Sequence, residues 1–330
     1  MQANIQISIV IPTFNRSNFL IKILDCLKKN KINFRNFEVI ICDSFSKDYT
    51  SAKVKSYKSQ NEFMNISYIN TYKNLHSIKR NLGIKFSRGK YIVFLDDDCF
   101  PEKDFLKQYY SIFSKEKNKK NIFCGSVLYK QKINNGNFIR YRQSRQFFYK
   151  KNNYISNKNL DASKIVTMNM GFENKNLCFN KNIFFNKKFN FYGFEDYEFG
   201  FRLIENNYKI KACSPAVYHN DNRNFNLYLK KIFFLGQESM NYLININLEA
   251  AKKNNYYKLE NNFIIKSLLK FNFFRLILNF LKELSIYSEK NFLYLPFIYK
   301  IGIASSYLLG CSFRKKKYLL NDLHYKNWYK

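Results

Sequence analysis

The chain has 330 residues and a mass of 39.8 kDa, with 46% hydrophobic and 24% charged residues. That is enough to bury a core without a disulfide or metal staple, and it excludes a disordered or collagen-like chain. With only 10 Gly and 4 Pro, flexible or Pro-rich linkers are excluded as well. The net charge of +32, from 56 basic and 24 acidic residues, is spread along the chain. It calls for an anionic partner: nucleic acid, a phosphorylated ligand or an anionic membrane. The 35 Phe and 26 Tyr, together with abundant Lys, Asn and Ile, read as the bias of an AT-rich genome.

The seven cysteines are odd in number and form no CxxC pair, so neither a zinc cage nor a disulfide framework is expected. A reducing compartment fits this usage. The opening MQANIQISIVIPTF has no basic segment followed by a long apolar run, and we read no signal peptide there.

The first hundred residues alternate between strand and helix patterns. Ile7–Pro12 is an apolar β-branched run, and Asn18–Asn30 places Phe19, Leu20, Ile23, Leu24 and Leu27 at helical spacing. Phe37–Cys42 reads as a strand ending at Asp43, Ser46–Gln60 as a helix and Asn65–Asn70 as a short strand. Ser77–Ser87 reads as a helix, and Tyr91–Leu95 as a strand running into Asp96-Asp97-Asp98. Strands separated by helices predict a mainly parallel sheet whose ligands bind beyond the carboxyl ends of the strands. Thr13, Asn15 and Arg16, then Asp43, then Asp96–Asp98 all lie at such ends.

Further on, residues 104–122 read as a basic helix and Phe123–Tyr129 as a strand. The stretch 131–164 is polar and Asn-rich, a loop that can cover a site. Thr167–Phe179 and Tyr192–Glu205 form a second motif region, and amphipathic helices run from about residue 225 onward. Leu293–Cys311 is the least polar late stretch. Lys300 interrupts it, which favours a buried or interfacial helix over a membrane span.

Three adjacent carboxylates repel one another, and a divalent cation is the usual means of offsetting that. An acidic knot in so basic a chain therefore points to a metal, although a solvated acidic turn has the same composition. Asp43 can accept hydrogen bonds from a base N–H or a ribose hydroxyl. Neither GxGxxG nor GxxxxGK[ST] occurs, which weakens a dinucleotide or P-loop reading.

IVIPTFNR, VIICDSFSKD and RNLGIKFSRGKYIVFLDDD, in this order over about residues 5–105, resemble the nucleotide-sugar half of a family 2 glycosyltransferase. The resemblance implies a GT-A fold, an α/β Rossmann-like mixed sheet flanked by helices. It implies that Pro12, Thr13, Asn15 and Arg16 line the nucleotide pocket and that Asp43 reads uracil. Arg80 would lie on the phosphate side, Asp96 and Asp98 would form a DxD pair with Asp96 nearer the ribose or sugar and Asp98 on the metal, and Asp97 would bind the nucleotide. The chain departs from the family pattern at Ser44, Phe45 and Cys99, where a carboxylate, a glycine and a different residue are usual.

Asn169-Met170-Gly171, followed by Gly193-Phe194-Glu195-Asp196, is similar to the acceptor side of galactosyltransferase-like and chondroitin-polymerase-like members. By that likeness Asp196 is the catalytic base, and Asn169, Gly171 and Glu195 contact substrate. An acidic first turn is favoured at any helix N-terminus, so the residues by themselves are equally consistent with a structural role. The likeness also implies that His219, one of three histidines, is a metal ligand with Asp98. Carboxylate and imidazole donors suit Mn²⁺, or Mg²⁺ less well.

These readings predict a GT-A domain over residues 1–222, with a nucleotide-sugar half at 1–105 and an acceptor-side half at 106–222. A basic helical region at 223–330 would dock on an anionic membrane. The predicted activity is metal-dependent, inverting transfer from a UDP-sugar to a glycan or lipid-linked glycan of a bacterial surface. The predicted location is the cytoplasm, peripheral to the inner membrane. Two rivals remain: a basic nucleic-acid-binding protein with aromatic stacking, and an inactive sugar-nucleotide-binding relative. The first lacks any RRM, KH or helix-turn-helix signature, and no nucleic-acid partner is expected.

Overall fold

A computed structural model describes residues 5–30, 36–117, 120–129, 136–145, 155–174, 184–189, 192–221, 224–291 and 294–314. The chain divides into two units. One comprises Met1–Lys130, Gln146–Lys187 and Phe199–Asp221, and the other Gln131–Arg145, Lys188–Glu198 and Asn222–Lys330.

The first unit is built on a sheet. Strands β1 (Ile7–Thr13), β2 (Phe37–Asp43), β3 (Asn65–Asn70) and β4 (Tyr91–Leu95) alternate with helices α1 (Ser17–Lys28), α2 (Thr50–Gln60) and α3 (His76–Phe86). Every residue of β1, β2 and β4 is buried, as expected where helices cover both faces of a parallel sheet. The period of two assigns alternate residues to opposite faces. Ile7, Ile9 and Ile11 pack with Leu20, Ile23, Leu24 and Leu27, while Val10 packs with Ile40, Ile84, Ile92 and Phe94.

Helix α2 begins at Thr50, four residues later than the sequence predicts, because the intervening polar residues make loop contacts. Ser46 donates to Asp43, and Asp48 accepts from the backbone N–H groups of both Ser17 and Thr50. The predicted helix at 104–122 likewise contracts to α4 (Phe105–Lys115), because the backbone turns extended at Glu116.

The remaining strands are β5 (Cys99–Pro101), β6 (Asn121–Leu128), β7 (Ile155–Leu160), β8 (Asn169–Glu173) and β9 (Lys209–His219). Among the described residues the sheet runs β3-β2-β1-β4-β8-β6-β9-β5, with β7 also on β9. β1–β4 and the β6–β9 pair are parallel, whereas β8 is antiparallel to β4 and β6, and β5 and β7 are antiparallel to β9. The sheet is thus mixed, with β1–β4 its uninterrupted parallel part. The stretch 131–164 contains helix α5 (Gly136–Ser144) and β7, where a loop was expected.

Helix α6 (Glu195–Glu205) carries the chain out of the second unit, which otherwise is mostly helical. Its helices are α5, α7 (Phe225–Phe234), α8 (Met240–Ile246), α9 (Leu248–Lys253), α10 (Asn255–Glu260), α11 (Phe263–Leu268), α12 (Asn272–Asn291) and α13 (Pro296–Ser312). Phe138, Tyr141, Phe225, Leu229 and Tyr299 form its aromatic core, with Tyr141 and Tyr299 stacked at 4.7 Å between centroids. Gly302 lets α13 approach Ser285 of α12, and Gly310 lets it approach the backbone of α7. No helix among the described residues is long and apolar enough to cross a membrane. The basic run Lys315–Lys317 and residues 175–179 lie outside the described residues.

Candidate functional site

In the first unit, the ends of β1, β2 and β4 bring together the polar residues singled out in the sequence. β1 ends at Thr13, paired with Asp43 at the end of β2, and Pro12 pairs with Cys42. Asn15 then adopts a left-handed backbone, φ 52°, a conformation that Asn tolerates better than most residues. Its N–H donates to Ser46 Oγ at 2.7 Å, and its Oδ1 accepts from Lys47 N at 2.7 Å, which locks the β1 loop to the β2 loop.

Asp43 is buried at the bottom of this junction. It accepts from Ser46 N at 2.8 Å and from the Tyr68 hydroxyl at 2.6 Å. Phe45, in the same turn, sits at φ 54° with its ring 63% exposed. A bulky residue there carries backbone strain that glycine would not.

The three adjacent acids each have a basic partner. Arg80 holds Asp96 at 3.0 Å. Thr13 Oγ1 donates to Asp97 at 2.8 Å, and Arg16 reaches Asp97 at 3.3 Å and Asp98 at 2.5 Å. Asp97 is the buried member: desolvation pushes it up to about 7 despite the opposing charge of Arg16. For Asp98, burial also acts against the charge. The hydrogen bond and charge of His219, then those of Arg16, outweigh it and hold the carboxyl well below the usual range.

His219 reaches this cluster through sheet pairing. It is the last residue of β9 and lies opposite Cys99 in the antiparallel β5–β9 register. Its Nε2 stands 3.4 Å from Asp98 Oδ1, and its buried Nδ1 has no hydrogen-bond partner among the described residues. Asp98, Cys99 and His219 present donor atoms within 4.8 Å of one another. The carboxylate and imidazole fit a borderline divalent cation such as Mn²⁺. Burial raises the Cys99 thiol well above its usual range, which makes it the weakest of the three donors.

Lys79, which the sequence reading passed over, lies beneath the cluster. Its Nζ donates to the Thr13 carbonyl at 3.0 Å and to Asn74 Oδ1 at 2.8 Å, in a side chain 1% exposed. Desolvation lowers it to about 8, against the raising effect of Asp97 and Asp43. The signal was present in the spacing: Leu75, Lys79 and Leu82 fall on one helical face. Tyr68, the hydroxyl partner of Asp43, was also missed, because β3 gave no cue beyond strand propensity.

Asn169 and Gly171, expected to touch substrate, lie within the sheet. Asn169 has no exposed surface. Its Oδ1 accepts from Tyr109 at 2.7 Å, and its Nδ2 donates to the carbonyls of Ser126 at 3.0 Å and Pro215 at 2.9 Å. A Cβ on Gly171 would come within 2.7 Å of Phe113 and 2.8 Å of Tyr109. Both residues sit where β8 inserts between β4 and β6.

Glu195 and Asp196 open helix α6 and are half-buried, and the buried Glu198 completes an acidic first turn. Glu195 Oε2 accepts from Gly193 N at 2.9 Å. Gly193 and Phe194 before it both have positive φ, 108° and 65°, so the chain turns sharply to present these two acids at a helix start. Tyr197 anchors the turn through its hydroxyl to the Ala250 carbonyl at 3.0 Å.

Several known proteins are similar to this chain. A dolichyl N-acetyl-α-D-glucosaminyl phosphate 3-β-D-2,3-diacetamido-2,3-dideoxy-β-D-glucuronosyltransferase of Methanococcus voltae is 24% identical over 221 residues, 62% of this chain and 63% of that protein. The chondroitin synthase of Pasteurella multocida is 28% identical over 246 residues, 66% of this chain but 25% of that one. The match thus spans less than two thirds of either relative's length.

Among solved structures, the mannosyltransferase PcManGT of Pyrobaculum calidifontis, in complex with GDP-Man and Mn²⁺, superposes with a TM-score of 0.59 at 14% identity. The match covers 93% of this chain and 85% of that one. Staphylococcus aureus TarS 1–349 gives a TM-score of 0.51 at 15% identity, over 93% and 90% of the two chains. These likenesses bear out the expected GT-A sheet flanked by helices. The family model described as glycosyl transferase family 2 matches residues 8–173, half of the chain, and the chain belongs to that family.

Proposed function

We propose that this family 2 member moves one sugar from a UDP-sugar to a hydroxyl of a growing bacterial surface glycan, of capsule or lipooligosaccharide type. The transfer is a metal-dependent single displacement that inverts the anomeric centre. The observation that supports this best is the convergence of Asp43, the Asp96–Asp98 cluster and His219 at one edge of the β1–β4 sheet.

In this reading residues 1–222 are the transferase domain and 223–330 the membrane-facing region. Pro12, Thr13, Asn15 and Arg16 bound the nucleotide, and Asp43 accepts the uracil N–H. Asp96 and Asp97 lie by the ribose and sugar, while Arg80 and Arg16 offer positive charge to the diphosphate. Asp98 and His219 would hold Mn²⁺, or Mg²⁺. When bound, the ion supplies Lewis-acid neutralisation of the departing nucleoside diphosphate. Asp196 takes the proton of the acceptor hydroxyl as its oxygen attacks the anomeric carbon, and Glu195 orients a substrate hydroxyl.

The acceptor is a glycan or lipid-linked glycan at the cytoplasmic face of the inner membrane, where the enzyme sits peripherally. A panel of UDP-sugars with Mn²⁺, read by UDP release and product formation, tests the donor class. Asp196→Asn should lower transfer by about 100- to 10,000-fold with folding unchanged. Near-normal transfer by that variant would remove Asp196 from its role. A rise in melting temperature with oligonucleotide but not with UDP and Mn²⁺ would favour the nucleic-acid reading instead.

A further inference from the structure

Helix α12 carries two apolar stripes. Leu278 and Ser285 are buried and Phe274 and Leu281 half-buried, all on the side where α12 packs within its unit. Phe273, Leu276, Ile277, Phe280, Leu284 and Tyr287 fall on another side, within about 100° of the helix circumference, and all are exposed. Phe273 is 73%, Leu276 68% and Phe280 66% exposed. Single exposed apolar residues are ordinary, but six on one helical stripe over four turns are not.

The preceding helix points the same way. α11, Phe263–Leu268, contains no buried residue, and Phe263 and Ile264 are 84% and 65% exposed. A six-residue helix that buries nothing gains little from folding in water. Its formation makes physical sense when an outside apolar phase receives its side chains.

From these observations we propose that the exposed stripe of α12, with Phe263 and Ile264 of α11, is a docking face that lies in the plane of an anionic lipid surface. The inference rests on the reading of a membrane-held acceptor and assigns the residues that reach the membrane. Charge selects this occupant. The stripe contains no charged residue, while exposed Lys266, Lys270 and Lys300 lie on or beside these helices. Aromatic and aliphatic side chains on one face, with lysines on the same and neighbouring helices, are the pattern of an interfacial helix, and the exposed Glu283 beside the stripe is paired with Lys282 at 3.0 Å. A second copy of the chain would bring another body of net charge +32 against the first, whereas an anionic leaflet attracts it.

The test is flotation of the full chain with vesicles of about three parts phosphatidylglycerol to seven parts phosphatidylcholine, and with pure phosphatidylcholine vesicles. The wild-type chain should float with the anionic vesicles and not with the neutral ones. Leu276→Ser/Phe280→Ser should lower the bound fraction at least about tenfold, and Phe263→Ser/Ile264→Ser should lower it too. Because these side chains are exposed, both variants should keep the wild-type melting temperature, and UDP release without vesicles should be unchanged.

Wild-type protein that stays at the bottom of the gradient, or stripe variants that float as well as wild type, would overturn the proposal. A dimer in sedimentation that Leu276→Ser/Phe280→Ser dissolves would assign the stripe to a second copy. Flotation that emerges only when residues 315–330 are removed would assign it to that segment. Since binding is read without turnover, failure to float and failure to transfer sugar are separate results.

Discussion

His219 Nε2 and Asp98 Oδ1 stand 3.4 Å apart because β9 pairs antiparallel with β5, the three-residue strand that follows the acid cluster. Two residues remote in sequence thus form one donor pair through backbone hydrogen bonds rather than through a loop. Asp98→Asn and His219→Ala should each weaken Mn²⁺ binding at least about tenfold in calorimetric titrations with UDP present. Equal affinity in all three proteins would separate the pair from the metal.

Phe45 is a bulky residue at φ 54°, a left-handed backbone that glycine adopts without strain. Its ring is largely exposed, so its removal leaves no cavity. Phe45→Gly should therefore raise stability by about 0.5–1 kcal/mol in urea unfolding, through relief of the left-handed backbone. A lower midpoint would mean that the ring contributes contacts that exceed the strain.

Glu38, near the amino end of β2, is 1% exposed. It accepts from Ser8 Oγ at 2.7 Å and from Arg88 N and Nε at 2.8 Å each. Glu38→Leu leaves the Ser8 hydroxyl and the Arg88 N–H without that acceptor. The expected loss is about 2–3 kcal/mol, measured by denaturant unfolding.

Lys79 provides a pH dependence. Its folded-state value is lowered from 10.5 to about 8, first by desolvation. Below pH 8 the lysine is charged in both states, and the folded chain bears the full cost of burying that charge. Between 8 and 10.5 the unfolded chain holds more protons than the folded one, so the contribution of this residue to stability rises with pH. Lys79→Met should flatten that rise when melting temperatures are compared at pH 8 and pH 10. An unchanged slope would show that the ammonium is better solvated than its surroundings suggest.

β1, β2 and β4 were legible because they are apolar runs buried on both faces, and β3 because it alternates with helices in the same rhythm. The acids at their ends were legible for the same reason, since such a sheet directs ligands to its carboxyl edge. Three features were not. The antiparallel insertion of β8 depends on Asn169 bonding Tyr109, Ser126 and Pro215, contacts with no local signature. The polar 131–164 stretch concealed α5 and β7, whose stability comes from partners elsewhere in the chain. Lys79 was hidden by its residue type, since a lysine on an apolar helix face reads as a surface charge until its carbonyl partner is known.

The closure of the sheet by β9 sets an order of assembly. Asp43 and the acid cluster are encoded within the first hundred residues and need only local β–α–β pairing to take shape. The imidazole arrives more than a hundred residues later, on the strand that holds β5 in place. A nascent chain interrupted before residue 209 would hold Asp43 and Asp96–Asp98 and still lack the His219 imidazole. The His219–Asp98 pair therefore forms late in synthesis, when that strand docks.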